Sequence, residues 1–395
     1  MSSIVIQGDT SGSITVEAPS VAGTHTLTLP KATGNIATDA TVGLGTKNLI
    51  INGNMQIAQR GTSTSGITSS GYYTVDRFDV GGTTWGTFTQ SQDTDVPTGQ
   101  GFANSIKFLW TTANASLSSN SFLQMHQSIE GQMLQQIKKG TSNAESLTIS
   151  FWVKSNKTGT YIVQLYDIDN TRMISKSYII NSADTWEKKT ITCDGDTTGA
   201  LDNDNGRSLD LIFALCAGTD QSSGTLQTTW GTAVTANRFV GQVNLADAIN
   251  NYWQVTGIQL ELGENATPFE HRMYSQELAM CQRYFQSFGG SNVAETVGQG
   301  TSFSTTNTYV LIHLLQTMRS VPSLGYSAVG DWRLHYPGVT GQEATVMAIS
   351  TNDSNNTKVI VNTTTATNAS MGGGKCIQLT ADSTISARLT FSAEL

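Results

Sequence analysis

Apolar residues return at every second position along much of this chain, the period of half-buried strands. Residues 146–154 alternate most clearly, and 161–166 follow across Lys157-Thr158-Gly159, a spacing that predicts a hairpin. Strand-like runs recur at 174–180, 186–192, 209–217 and 253–262, while 48–58 opens the region. Strands at this spacing with no helices between them predict a β-sandwich over 46–272. At its end, Ile258, Leu260 and Leu262 should share one core-facing side. Runs at 308–314, 345–349, 358–361 and 384–391 predict a second, smaller β-sandwich over 291–395, with a turn at 318–322. Near the start, 13–18 and 24–29 alternate around Pro19 and Gly23 and read as a hairpin. Two strands alone are marginal in water. Segment 1–45, with its linker 31–45, is therefore expected to be completed by another domain or by copies from other subunits.

Helical spacing shows once, in the joint at 273–290. Ser275 is placed to cap the helix, with Glu277 in the first turn. Leu278, Cys281, Tyr284 and Phe285 then fall on one face before Gly289-Gly290. That face should pack on a neighbouring domain or around a three-fold axis.

Composition agrees with a mostly β chain. Of 395 residues only 13% are charged, and 38 are Gly against 6 Pro. Ser and Thr make up roughly a quarter, so hydroxyls carry much of the polar surface. A net charge of -8 without any Lys/Arg cluster argues against nucleic acid. No apolar run approaches a membrane span, and the first residues lack the basic and apolar regions of a signal peptide. The expectation is assembly where the chain is made, without membrane insertion. Cys193, Cys216, Cys281 and Cys376 form no metal-binding or redox spacing and read as reduced thiols.

No nucleophile elbow, phosphate loop or zinc-protease motif is present. The five His are dispersed and read as structural. Residues 202–206 (DNDNG) resemble the front of a calcium loop, but its twelfth position is Phe213, so an Asx-rich turn is the better reading. No cofactor is expected, and the sequence places no structural calcium. Aromatic rings stacking on sugar CH faces would suit Tyr72, Tyr73, Trp85, Trp110 and Trp230, which sit among Gly, Ser and Thr. Trp152 and Trp253 lie within strong strands and read as core.

Several stretches resemble bacteriophage tail-fibre and related receptor-binding virion proteins. NLIINGNMQIAQRGTS at 48–63, followed by YTVDRF at 73–78, resembles the opening of their jelly-roll modules. IQLELG at 258–263, ATPFE at 266–270 and ELAMCQRYF at 277–285 resemble the close. Residues 13–30 with Gly34, the turn at 318–322 and the ending FSAEL resemble their N-terminal and distal parts. Met55-Gln56-Ile57 departs from relatives that carry an aromatic or acidic residue there. The resemblance implies a homotrimeric virion component with a carbohydrate-binding-like jelly roll. It would attach to other virion proteins through 1–45 and recognise host-surface polysaccharide during adsorption. The alternatives are a capsid-surface fibre or decoration protein without a receptor role, and a polysaccharide depolymerase. A depolymerase would draw on carboxylates such as Glu130, Glu145 or Glu261, although no β-helix repeat is present.

Overall fold

A computed structural model describes residues 3–7, 13–17, 47–290, 294–336, 339–365, 373–382 and 387–395. Contacts divide the chain into two units, 1–45 and 46–395. In the first, β1 (Ser3–Gln7) pairs antiparallel with β2 (Ser13–Glu17), Ile4 opposite Val16 and Ile6 opposite Ile14. The hairpin therefore pairs 13–17 with the β-branched run Ile4-Val5-Ile6. The expected partner, 24–29, lies outside the described residues.

The second unit begins with β3 (Ser63–Ile67), β4 (Gly71–Tyr72), β5 (Asp79–Thr83), β6 (Thr87–Asp93), β7 (Ser105–Thr112) and β8 (Phe122–Glu130). It continues through β9 (Leu147–Ser155), β10 (Gly159–Asp167), β11 (Arg172–Ile180), β12 (Glu187–Cys193) and β13 (Arg207–Ala217). A short helix α1 (Thr219–Ser222) precedes β14 (Gly231–Thr232) and β15 (Tyr252–Leu262). These strands form two antiparallel sheets, seven-stranded β14-β11-β10-β13-β8-β5-β4 and six-stranded β12-β9-β15-β7-β6-β3. The protein is mostly β, and this part is the expected sandwich. Ile258 and Leu260 are buried in its core, with Leu262 packed against it.

Strands β9 and β10 are sequence neighbours but do not pair. β9 lies between β12 and β15, whereas β10 lies between β11 and β13 in the other sheet. Ile149, Phe151 and Val153 on β9, and Tyr161, Val163 and Leu165 on β10, all enter one buried cluster. Each strand thus lends its apolar face to the sandwich interior, and the turn between them crosses from sheet to sheet.

Aromatic rings run through that interior in sequence of contact. Phe88 meets Phe108 at 5.2 Å, Phe108 meets Trp253 at 5.9 Å, and Trp253 meets Phe213 at 5.7 Å. Phe213 then meets Phe151 at 5.0 Å, which meets Tyr178 at 5.1 Å. Such offset and edge-on pairs add about 0.5–1.5 kcal/mol each beyond area burial.

The joint helix α2 (Tyr274–Gln282) follows. Its N-cap is Met273, which makes no side-chain cap bond, so the expected Ser275 cap does not form. Phe285 is not on the helix either; it opens β16 (Phe285–Phe288). Cys281 and Tyr284 pack on Ile51 and Ile57, with Leu278 partly buried beside them. The apolar face therefore packs on the 51–57 loop of the neighbouring sandwich, the first of the two arrangements expected for it.

Beyond it lie β17 (Thr296–Ser302), β18 (Asn307–His313), β19 (Ser323–Tyr326), β20 (Trp332–Tyr336), β21 (Val339–Ile349), β22 (Lys358–Thr365), β23 (Cys376–Ala381) and β24 (Leu389–Ser392). Six of them close into a barrel, β17-β18-β22-β21-β20-β23, where a second sandwich was expected. A small core of residues such as Val310, Trp332, Leu334 and Val361 is enclosed by one curled sheet, and closure pairs each described barrel strand on both sides. The remaining β16-β24-β19 sheet ties the chain's last strand to the joint.

Candidate functional site

The five aromatic residues expected to face a ligand have different fates. Trp85 and Trp110 are fully buried, Trp110 donating from Nε1 to the Trp85 carbonyl at 3.0 Å. Both belong to the sandwich core, which corrects that expectation. Trp230 is held by a 2.8 Å bond from Nε1 to the Asp194 carbonyl, under the Lys139 ammonium. Tyr73 donates to the Ser69 carbonyl at 2.6 Å. Tyr72 is opposite Asp79 at the sheet edge, beneath the Arg60 guanidinium. Trp152, read as core, is instead half-buried and lines a recess on the six-stranded sheet.

Residues directly opposite across antiparallel strands share a face. On the seven-stranded sheet, Tyr72, Asp79, His126, Ile212, Gln164 and Ser175 form such a row. Beside it run Ser128, Asp210 and Tyr166. This face points away from the aromatic core. It is partly roofed by the segment after α1, where Phe239 packs on Ile162, Ile212 and Ala214. Between roof and sheet a groove of about 330 Å³ remains, lined by Gln124, Tyr166, Asp210 and Arg238 among others.

Arg238 organises the groove. Its Nη2 donates to the Gln124 and Gln164 side-chain oxygens, each at 3.0 Å, and its Nε donates to Gln164 at 3.1 Å. The guanidinium lies over the Phe239 ring at 4.6 Å and near Tyr166 at 5.6 Å. Three amides and three rings, Phe122 being the third at 6.0 Å, hold it, but no carboxylate pairs with it among the described residues. Burial lowers its pKa to about 10, so it remains charged at neutral pH. Nearby, Arg207 grips the Asp210 carboxylate through Nε at 2.8 Å and through Nη2, and Ser128 donates to the same carboxylate at 2.8 Å.

Beside the groove, along the same cross-strand row, lies a buried polar cluster outside its lining. His126 Nε2 is 3.5 Å from Asp79 Oδ2. His126 Nδ1, Asp79 Oδ1 and the Tyr72 hydroxyl have no hydrogen-bond partner, a costly arrangement in a protein interior. Burial pushes the Asp79 carboxyl up to about 6 and the His126 imidazole down to about 4. At neutral pH Asp79 is a carboxylate and His126 is neutral. Hydroxyls that both donate and accept match a wall of guanidinium, amide and carboxylate groups.

Other candidate groups are committed to structure. Glu130 accepts two 2.7 Å bonds from Arg283, Glu261 accepts from Thr267 N at 2.9 Å, and Glu145 pairs with Lys138 at 2.6 Å on the surface. In 202–206, the Gly206 amide donates to Asp204 Oδ1 at 2.8 Å, an Asx-type turn. Among the described residues no group of three or more His, Cys, Asp or Glu is placed to hold a metal ion. Nor is any described helix long and apolar enough to cross a membrane.

No protein-family model matches the sequence, and no curated protein matches it. Solved structures do. The enzymatically active domain of tailspike protein 4 from bacteriophage CBA120 is 13% identical with a TM-score of 0.29, over 54% of this chain and 21% of that one. The chain thus spans about a fifth of that tailspike chain. A family 61 carbohydrate-binding module in complex with β-1,4-galactotriose is 8% identical with a TM-score of 0.27, over 55% of this chain and 99% of that one. The N-terminal tandem family 22 carbohydrate-binding domain of Paenibacillus barcinonensis Xyn10C is 10% identical with a TM-score of 0.25, over 90% and 100%.

Sequence reading missed Arg238, Gln124, Asp210, Tyr166 and Trp152. For two of them a signal existed. Tyr166 and Trp152 occupy the polar phase of their strands, out of step with Leu165 and with Phe151 and Val153. Arg238 lies just beyond a single 3₁₀ turn, and its position depends on the roof segment folding back over the sheet.

Proposed function

We propose that this chain is a bacteriophage virion protein, a trimeric tail fibre that holds host-surface polysaccharide in the groove of the seven-stranded sheet without cleaving it. The observation that carries the reading is the Arg238 guanidinium, anchored by amides inside a groove and lacking a carboxylate partner among the described residues. The amides take four of the five guanidinium N–H groups, and a sugar hydroxyl accepts from the fifth, on Nη1, while the Tyr166 ring offers an apolar edge to sugar CH groups. The groove's volume is at the small end of the range for compact ligands, as suits one or two sugar rings of a longer polymer. The resemblance of 48–78 and 258–285 to tail-fibre jelly rolls supports the virion assignment. Exposed Val321, Tyr326 and Val346 on the distal part give apolar surface for copies of the chain to meet. Segment 1–45 is assigned to contacts with other virion proteins.

The test is competition. Full-length protein is added to susceptible cells before phage, and adsorption is counted. Blocking is expected, and Arg238→Ala, checked for an unchanged melting profile, should block at least roughly tenfold less well. Equal blocking by Arg238→Ala, or none by the unsubstituted protein, would remove the groove assignment. Polysaccharide shortened on incubation would favour the depolymerase, and a monomeric mass in solution would remove the trimer.

A further inference from the structure

The other face of the sandwich carries a recess built by a fault in strand pairing. Along β9 and β15, Trp152 is opposite Thr256 and Ser150 is opposite Gln259. Two residues, Gly257 and Ile258, therefore stand against the single Phe151, a β-bulge. Gly257 takes φ +63, and the Phe102 ring covers it so closely that a Cβ there would sit 2.5 Å from the ring. Ile258 is pinned from the core side, donating to the Gly53 carbonyl at 2.9 Å and accepting from Asn48 Nδ2 at 3.0 Å. The bulge is thus locked, and it opens a recess of about 400 Å³ beside Trp152.

One wall is aromatic. Phe102, Phe269 and His271 meet with ring centroids 5.1, 5.4 and 4.9 Å apart. The segment bearing Phe269 is fixed from below, since Gln259 accepts from the Glu270 amide at 2.8 Å and Glu261 accepts from Thr267. Opposite stand Trp152 and, across the β9–β12 pair, Lys188. Lys188 is exposed and its ammonium has no ion pair or hydrogen bond among the described residues. The Trp152 indole N–H and the Gln100 amide are likewise uncommitted at the rim, and no carboxylate lines the recess.

We infer that this recess is a second binding site, separate from the groove, which takes a pyranose ring bearing a carboxylate. Flat rings suit the CH face of a sugar. An uncommitted ammonium in a lining with no acidic side chain suits an anion. The uncommitted indole and amide supply donors for the ring hydroxyls. A neutral sugar would leave Lys188 without a partner, so the site discriminates by charge.

Isothermal titration of the full-length protein with a galacturonate oligosaccharide, and with a neutral galactose oligosaccharide of equal length, tests this. The acidic probe should bind at least roughly tenfold more tightly, the margin of one charge-assisted hydrogen bond. Lys188→Gln, a surface change that leaves the fold intact, should erase the margin. Trp152→Ala should abolish acidic binding, with all titrations repeated in an Arg238→Ala background so that the groove does not contribute. Equal affinity for the two probes in that background, or a margin that survives Lys188→Gln or Trp152→Ala, would overturn the inference.

Discussion

The carboxylate of Glu394 closes on the buried guanidinium of Arg77, 317 positions earlier in the chain. Arg77 also lies over the Tyr284 ring at 3.4 Å and donates to the Ser128 carbonyl at 2.7 Å. The other Glu394 oxygen takes Arg60 at 2.9 Å, whose guanidinium covers Phe285 at 3.6 Å. Sandwich, joint and final strand therefore share one charged knot. Removing one partner of a buried pair leaves the other unpaired, at a cost of about 3–5 kcal/mol. Glu394→Ala should lower stability by that order in denaturant titration, and Arg77→Met combined with it should recover part of the loss. A change under about 0.5 kcal/mol, the usual size at surface sites, would show that the knot adds nothing.

His126 and Asp79 should oppose each other in acid. His126 is held at about 4, below the ordinary 6.5, mainly by burial, with Asp210, Arg207, Arg238 and Arg77 around it. The unfolded chain takes that proton first, so His126 gives stability above pH 6.5 that is lost as pH falls towards 4. Asp79 is held at about 6, above the ordinary 3.8, by burial and by Glu394. Its contribution runs the other way, present below 3.8 and lost as pH rises through 6. His126→Gln should therefore make the protein gain stability on acidification from pH 6.5 to 4, and Asp79→Asn should steepen its loss. Thermal melts of the three proteins across this window give the signs directly; parallel curves would refute the assignment.

Trp110 and Trp152 should separate stability from recognition. Trp110→Ala removes a core ring in contact with Phe88 at 5.5 Å and should cost about 3–5 kcal/mol. Trp152→Ala, at a half-buried site, should cost far less in a denaturant titration. The reverse order would return Trp110 to the surface.

Much of the sandwich was legible because its strands obey the two-residue period. Even Trp110 was readable, since Ile106, Phe108 and Trp110 alternate and all are fully buried. Its Thr-rich neighbours obscured the pattern. The hairpin at β9 and β10 misled because short range favours pairing, whereas both strands carry an apolar face that only a second sheet can cover. Phe285 followed Tyr284 in helical spacing, yet its backbone pairs with Ser392 at the far end of the chain, a partner no local pattern announces. The sites were the least legible part. Arg238 and His271 are single residues outside the regular strands, and their chemistry exists only once distant segments meet.

The distance between Arg77 and its partner also sets a timetable. At ribosomal speeds of about 5–20 residues per second, Glu394 is polymerised roughly a quarter of a minute to a minute after Arg77. During that interval the sandwich strands can find one another, but the guanidinium at their base has no carboxylate to neutralise it. The Tyr284 amide carbonyl likewise waits for Ala393. The latch is delivered after every strand it ties together, so a nascent chain stalled short of those residues carries an open seam that a protease or chaperone can read as incomplete.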